Sequence, residues 1–242
     1  METEAESTIL DQAQARLLAR RASQGAIPNP TRLTMKCEKP QKIGVVTFPP
    51  EQESRPAINL LRYCGVPKKY EGYRLDSYEG NQALVDLLAG HVHTADSVTL
   101  IGKTGCGKTH LAVGMLAEFS KKSHDAIFIT APELLLKIRS SFGERASLSE
   151  EELIDRYSSC GLLVLDDLGS EKTSEFSITT LYLIIDRRNR SGRKTIITTN
   201  LSLEEIEQSL GARISSRLSD SKIVKITTMP DYRKKRGNNG RV

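Results

Sequence analysis

The sequence predicts an α/β domain with a five-stranded parallel sheet covered by helices on both faces. Three observations carry that expectation. Short apolar runs recur at 97–101, 126–130, 161–165, 195–199 and 222–227. Helix-start signals and helical apolar spacing fall between them, so consecutive strands need crossovers and lie parallel. The run LLVL at 162–165 is apolar at every position, as a strand buried on both faces requires.

Residues 8–22 place Ile9, Leu10, Ala13, Leu17 and Leu18 on one side at helical spacing, which predicts a helix. From Pro28 to Pro56 the chain carries six prolines and reads as a linker with one short strand at 43–48. The main domain is expected to begin near residue 57, with short helices over 57–95, including one at 81–89. A strand at 97–101 and a helix over 110–117 follow. Thr130 and Glu133 form a capping-box pattern with Pro132 in the first turn, opening a helix to Ile138. Ser149 with Glu152 opens a second, to about Tyr157. A long helix spans 174–190 and stops at Gly192. Ser202 with Glu205 caps another before the last strand at 222–227.

Between the first strand and its helix stands GKTGCGKT at 102–109, a full match to G-x-x-x-x-G-K-[ST]. Strand, glycine-rich loop and helix N-terminus are the context this motif needs, because backbone N–H groups there bind phosphate. Gly102, Gly105 and Gly107 permit close approach, and Lys103, Thr104, Cys106 and His110 complete the segment around the nucleotide. Lys108 is expected to reach the β- and γ-phosphates, and the Thr109 hydroxyl to ligate Mg²⁺.

Composition narrows the class. The chain has 242 residues, 38% hydrophobic and 27% charged, a globular balance. No apolar run approaches a membrane span. The acidic start MET-EAE lacks a signal-peptide core, and Cys37, Cys64, Cys106 and Cys160 show no paired spacing, so a reducing cytoplasm is expected. The net charge of +5 permits contact with nucleic acid. Residues 234–242 read as a basic disordered tail.

Other residues suit the same chemistry. The strand at 161–165 ends in Asp166 and Asp167, carboxylates delivered to the sheet edge where a nucleotide binds. Asp166 is the expected metal-side residue and Asp167 the candidate base. Asn200 ends the strand 195–199 and can orient a water, or serve only as a turn residue. Arg213 and Arg217 lie four apart on one helical face, and Arg233 follows the last strand. A guanidinium suits charge developing on a transferring phosphoryl group; spacing by itself singles out none of the three.

The ordered set GKTGCGKT, LLVLDDLGSEKTSEF, LYLIIDRRNRSGRKTIITTNLS, GARISSRL and DYR resembles the bacterial DnaC-type helicase loaders of the AAA+ ATPases, alongside the IstB-type transposition helpers. The resemblance runs from about Leu60 to Arg233. It implies ATP with Mg²⁺, Asp166 and Asp167 as the Walker B acids, and Asn200 as the first sensor. It also implies Arg217 as the trans-acting finger, with Arg213 the runner-up, and Arg233 as the second sensor. About 15 residues follow the last strand, so the usual helical lid is expected to be absent or minimal.

The resemblance implies a loader that binds the replicative helicase through residues 1–56, with Leu10, Leu17 and Leu18 as contacts. Its ATPase domain at 57–233 would grip single-stranded DNA and assemble into a homo-oligomer. Lys137 and Arg139 are candidate phosphate contacts, or part of a solvated face. The alternative is an IstB-like helper of a transposase on duplex DNA. A small-molecule kinase would need an acceptor pocket and a lid, neither evident.

Overall fold

The computed structural model describes residues 57–142 and 148–227. The helix expected at 8–22, the strand at 43–48, the lid, Arg233 and the tail at 234–242 lie outside them.

The described chain opens with α1 (Ala57–Tyr63), a 3-10 turn (Lys68–Tyr70) and α2 (Gln82–His91). An alternating core follows: β1 (Val98–Gly102), α3 (Lys108–Ser120), β2 (Ala126–Thr130), α4 (Ala131–Ser140), α5 (Glu150–Ser159), β3 (Leu162–Leu168), α6 (Glu175–Arg190), β4 (Lys194–Thr199), α7 (Leu203–Leu210), α8 (Ala212–Ser219) and β5 (Lys222–Ile226). The strands form one sheet in the order β2-β3-β4-β1-β5, every pair parallel. The central strands are buried almost throughout, while β5 at one edge exposes Lys222 and Lys225.

Side-chain alternation along β3 divides the interior in two. Leu162 and Val164 join α1, α2 and α3 on one face; Leu163 and Leu165 join α4 to α8 on the other. α3 packs closely against the segment before α2, since a Cβ on Gly114 would lie 2.8 Å from the Leu75 backbone nitrogen. The edge of β2 is tied down where the Phe128 N–H donates to the Cys64 carbonyl at 2.6 Å.

The capping expectations hold with one correction. Ser149 and Ser202 form full boxes with Glu152 and Glu205. Thr130 accepts from the Glu133 N–H, without a full box, because Thr130 is also the last residue of β2 and its backbone belongs to the ladder opposite Asp166. β3 differs more. It runs through the acid pair to Leu168, and its register against β4 shifts between Leu165 and Leu168.

A buried arginine locks the end of the sheet opposite the acid pair. Arg188 on α6 is 0% exposed, and its guanidinium donates to the carbonyls of Tyr157, Cys160 and Lys194 and to the Thr195 hydroxyl. One side chain thus fastens the end of α5 to the starts of β3 and β4. Arg188→Ala should cost at least about 3 kcal/mol, because it leaves several buried carbonyls unsatisfied. The urea midpoint checks this; a midpoint within error of the parent would contradict it.

Candidate nucleotide site

The loop joining β1 to α3 has the shape its glycines allow. Gly105 and Gly107 lie at φ 83° and 94°, conformations that side chains rarely adopt. Cys106 is buried beneath the loop, against Gly102. The Lys108 ammonium donates to the carbonyls of Gly102 and Lys103 at 2.8 and 3.1 Å. Residues 104–110 line a cleft of about 530 Å³ together with Asp167, Ser170 and Asn200. Gly102 and Lys103 sit at its foot, outside the lining.

Asp166 is the hub of the site. It is 2% exposed, and its carboxylate accepts from the Thr109 hydroxyl at 3.0 and 3.1 Å and from the Thr198 hydroxyl at 2.6 Å. Burial pushes its pKa above the usual carboxylate range, and the neighbouring Asp167 adds to this. The Thr198 and Thr109 hydrogen bonds and the Lys108 charge pull the other way. Thr198 also accepts the Asp167 N–H at 3.0 Å, so one β4 hydroxyl sets both acids. Nothing in the sequence marked Thr198, because only the strand register brings it opposite β3.

Asp167 is exposed at the cleft lip with φ 55°, the sole positive φ outside glycine among the described residues. Backbone strain of this kind costs on the order of 1 kcal/mol or more and persists where its surroundings enforce it. Here the register shift in β3 and the Ser170 hydroxyl and N–H, both bonded to the Asp167 carbonyl, hold the turn. The shift buries Asp166 and turns Asp167 out, so adjacent acids occupy different environments.

The opposite wall comes from the segment before α2. Lys69, Tyr70, Tyr73, Ser77, Tyr78 and Glu79 line it. Tyr73 stacks on the His110 ring at 4.4 Å, Tyr78 meets its edge at 5.6 Å, and the Tyr78 hydroxyl donates to the Cys106 carbonyl at 3.1 Å. His110 Nε2 lies 2.9 Å from the Arg74 carbonyl, an acceptor that requires the proton on that nitrogen. Burial lowers the His110 pKa, so the ring is a neutral strut that faces this wall. These tyrosines were missed because their signal is spatial.

The remaining candidates lie apart. Arg217 is absent from the cleft lining and pairs with Asp186 of its own chain at 2.9 Å. Arg213 is exposed, its guanidinium 5.8 Å from the Tyr182 ring centre. Lys137 and Arg139 belong to α4. Among the described residues no three His, Cys, Asp or Glu side chains cluster as a metal cage, and no helix is long and apolar enough to cross a membrane.

Comparison with known proteins gives these arrangements a context. A model of the family of IstB-like ATP-binding proteins matches residues 55–236. The replicative helicase loader DnaC of Escherichia coli K12 is 30% identical over 153 residues, 62% of either chain. The chain therefore spans 62% of that relative's length. The crystal structure of the DnaC helicase loader matches with a TM-score of 0.59 at 26% identity, over 66% of this chain and 99% of that one. AMPPCP-bound DnaA from Aquifex aeolicus shares the fold, with a TM-score of 0.58 at 19% identity over 70% of this chain and 56% of that one.

The site's electrostatics predict a stability effect. A carboxyl whose folded pKa lies above its unfolded value binds protons more tightly in the folded state. Stability therefore falls as pH rises from the unfolded pKa through the folded one and stays lowered at neutral pH. Asp166→Asn should accordingly raise the melting temperature at pH 7, by roughly 2 °C or more. Thr198→Val should raise the Asp166 pKa further, as read by carboxyl-carbon NMR. A lowered melting temperature for the first, or an unmoved titration for the second, would contradict this electrostatic account.

Proposed function

The chain belongs to the family of IstB-like ATP-binding proteins, as a AAA+ ATPase of the DnaC type, and on that premise we propose that it is an ATP-dependent loader of the replicative DNA helicase. The observation that carries the nucleotide half is the Thr109–Asp166–Thr198 cluster at the floor of the glycine-rich loop. In this reading the ATP phosphates take the loop N–H groups of residues 104–109 and the Lys108 ammonium. The base lies toward the tyrosine wall.

The donor set fits Mg²⁺: Thr109 and Asp166 offer hard oxygens 3.0 Å apart, and this ion takes its remaining ligands from phosphates and water. Bound there, it would offset charge on the β- and γ-phosphate oxygens. Asp167 accepts the proton of the attacking water, and Asn200 orients that water at the same lip. The water oxygen bonds to the γ-phosphorus as the bond to the β-bridging oxygen breaks, and ADP leaves with that electron pair. Arg217, outside its own cleft, serves as the finger for a neighbouring subunit, and Arg233 as the second sensor.

The helicase half is supported by likeness to the DnaC loader. Residues 1–56 are proposed to bind the helicase, residues 57–233 to form the ATPase domain that assembles on single-stranded DNA, and 234–242 to be a tail. The IstB-like family description favours a second reading, an ATPase helper of a transposase on duplex DNA.

Lys108→Ala should weaken ATP binding by at least about 100-fold, measured with a fluorescent analogue. Arg217→Ala should keep that affinity and lose at least about 100-fold in assembly-stimulated hydrolysis, in line with arginine fingers generally. Full hydrolysis in Arg217→Ala would refute its assigned role.

A further inference from the structure

Away from the cleft, charge gathers where α8 packs on α6. Asp186 is 7% exposed; its Oδ1 accepts from Arg217 Nε at 2.9 Å and its Oδ2 pairs with Arg190 Nε at 2.8 Å. Tyr182, one turn earlier on the same face of α6, carries the Arg213 guanidinium over its ring, 5.8 Å from its centre. Asn189 donates to the Arg217 carbonyl at 3.1 Å, fixing the backbone as well. Two guanidiniums thus hold one carboxylate, Arg213 lies nearby, and against Asp186 and Asp220 the three arginines leave the patch a positive charge. Held through Nε, with Nη1 4.0 Å from Asp220 Oδ2, the Arg217 guanidinium keeps Nη donors able to take phosphate oxygens.

The nucleotide cleft shows the complementary lack. Among the described residues no arginine lines it, so an arginine for the γ-phosphate must come from elsewhere. None of the α6–α8 cluster reaches its own cleft.

We propose that Asp186 is a positioning residue that seats the Arg217 guanidinium, with Arg213 beside it, for the triphosphate bound in a second copy of this chain. The proposal rests on the reading of Arg217 as the trans-acting finger. Asp186 makes that finger rigid before the neighbour arrives, so less side-chain entropy is lost when the subunits meet. Without it the arginine still reaches the interface, but in many rotamers.

Mixed subunits test the two ideas separately. Arg217→Ala subunits keep a nucleotide site and lack the finger; Lys108→Ala subunits lack nucleotide and keep the finger. Mixed with ATP, Mg²⁺ and a poly(dT) strand, they should recover hydrolysis that neither shows alone. Absence of recovery would overturn the finger reading itself. With recovery established, Asp186→Ala is added to the Lys108→Ala donor. The expected result is a kcat lower by at least about tenfold, with KM for ATP unchanged because the acceptor site is intact. Asp186→Asn, which retains an oxygen for Nε, should restore kcat to within about threefold of the unmodified donor. Equal kcat with the Asp186→Ala donor would overturn the positioning proposal. If that donor does not fold, Asn189→Ala, which frees the Arg217 backbone, decides: a kcat lowered about two- to fivefold supports the proposal, and an unchanged kcat overturns it.

Discussion

The site is organised by one buried carboxylate. Asp166 sits at the junction of β3, β4 and the start of α3, and its oxygens accept from Thr109 and Thr198. Burying a charge is costly unless hydrogen bonds and neighbouring charge compensate it, and here the compensation comes from Thr198, Thr109 and Lys108. The register of β3 against β4, the seating of α3 and the strained turn at Asp167 therefore depend on one another. The acid pair is costly to stability: one carboxylate is desolvated and the next residue takes a backbone conformation that glycine would prefer.

The wall opposite the acids shows how a short helical preamble becomes part of the site. Gly107 and Gly114 let Tyr78 and Leu75 approach α3 more closely than a Cβ would permit. The His110 ring then fills the space between Tyr73 and Tyr78. The loop is thus braced from beneath by Cys106 and from the side by Tyr78. The α6–α8 pairing does for Arg217 what the tyrosine wall does for the loop, holding it in place with side chains from a neighbouring element.

Local signals made much of this legible in the sequence. The five strands, the serine capping boxes at 149 and 202 and the glycine-rich loop are written in contiguous residues, and all but the end of β3 lie within a residue or two of their expected place. What the sequence concealed depends on register and packing. A strand ending at the acid pair was the natural reading of LLVLDD, since an Asp pair is a poor continuation of a buried strand. The ladder instead slips past it to Leu168. Thr198 reads as one β-branched residue among several, and only its position opposite Asp166 gives it meaning. Asp186 reads as a charge within an arginine-rich helix end, yet it is buried and holds Arg190 of that end together with Arg217 of α8.

The central claim is that this chain couples nucleotide occupancy to contact with a replicative helicase. The direct measurement is co-elution of the purified protein with the replicative helicase of its source, with and without ATP, for the full chain and for a form lacking residues 1–56. The account predicts a complex that ATP modulates and that removal of residues 1–56 abolishes. No complex with the helicase, together with ATP-dependent assembly on duplex DNA, would contradict it and leave the transposition helper as the reading to pursue.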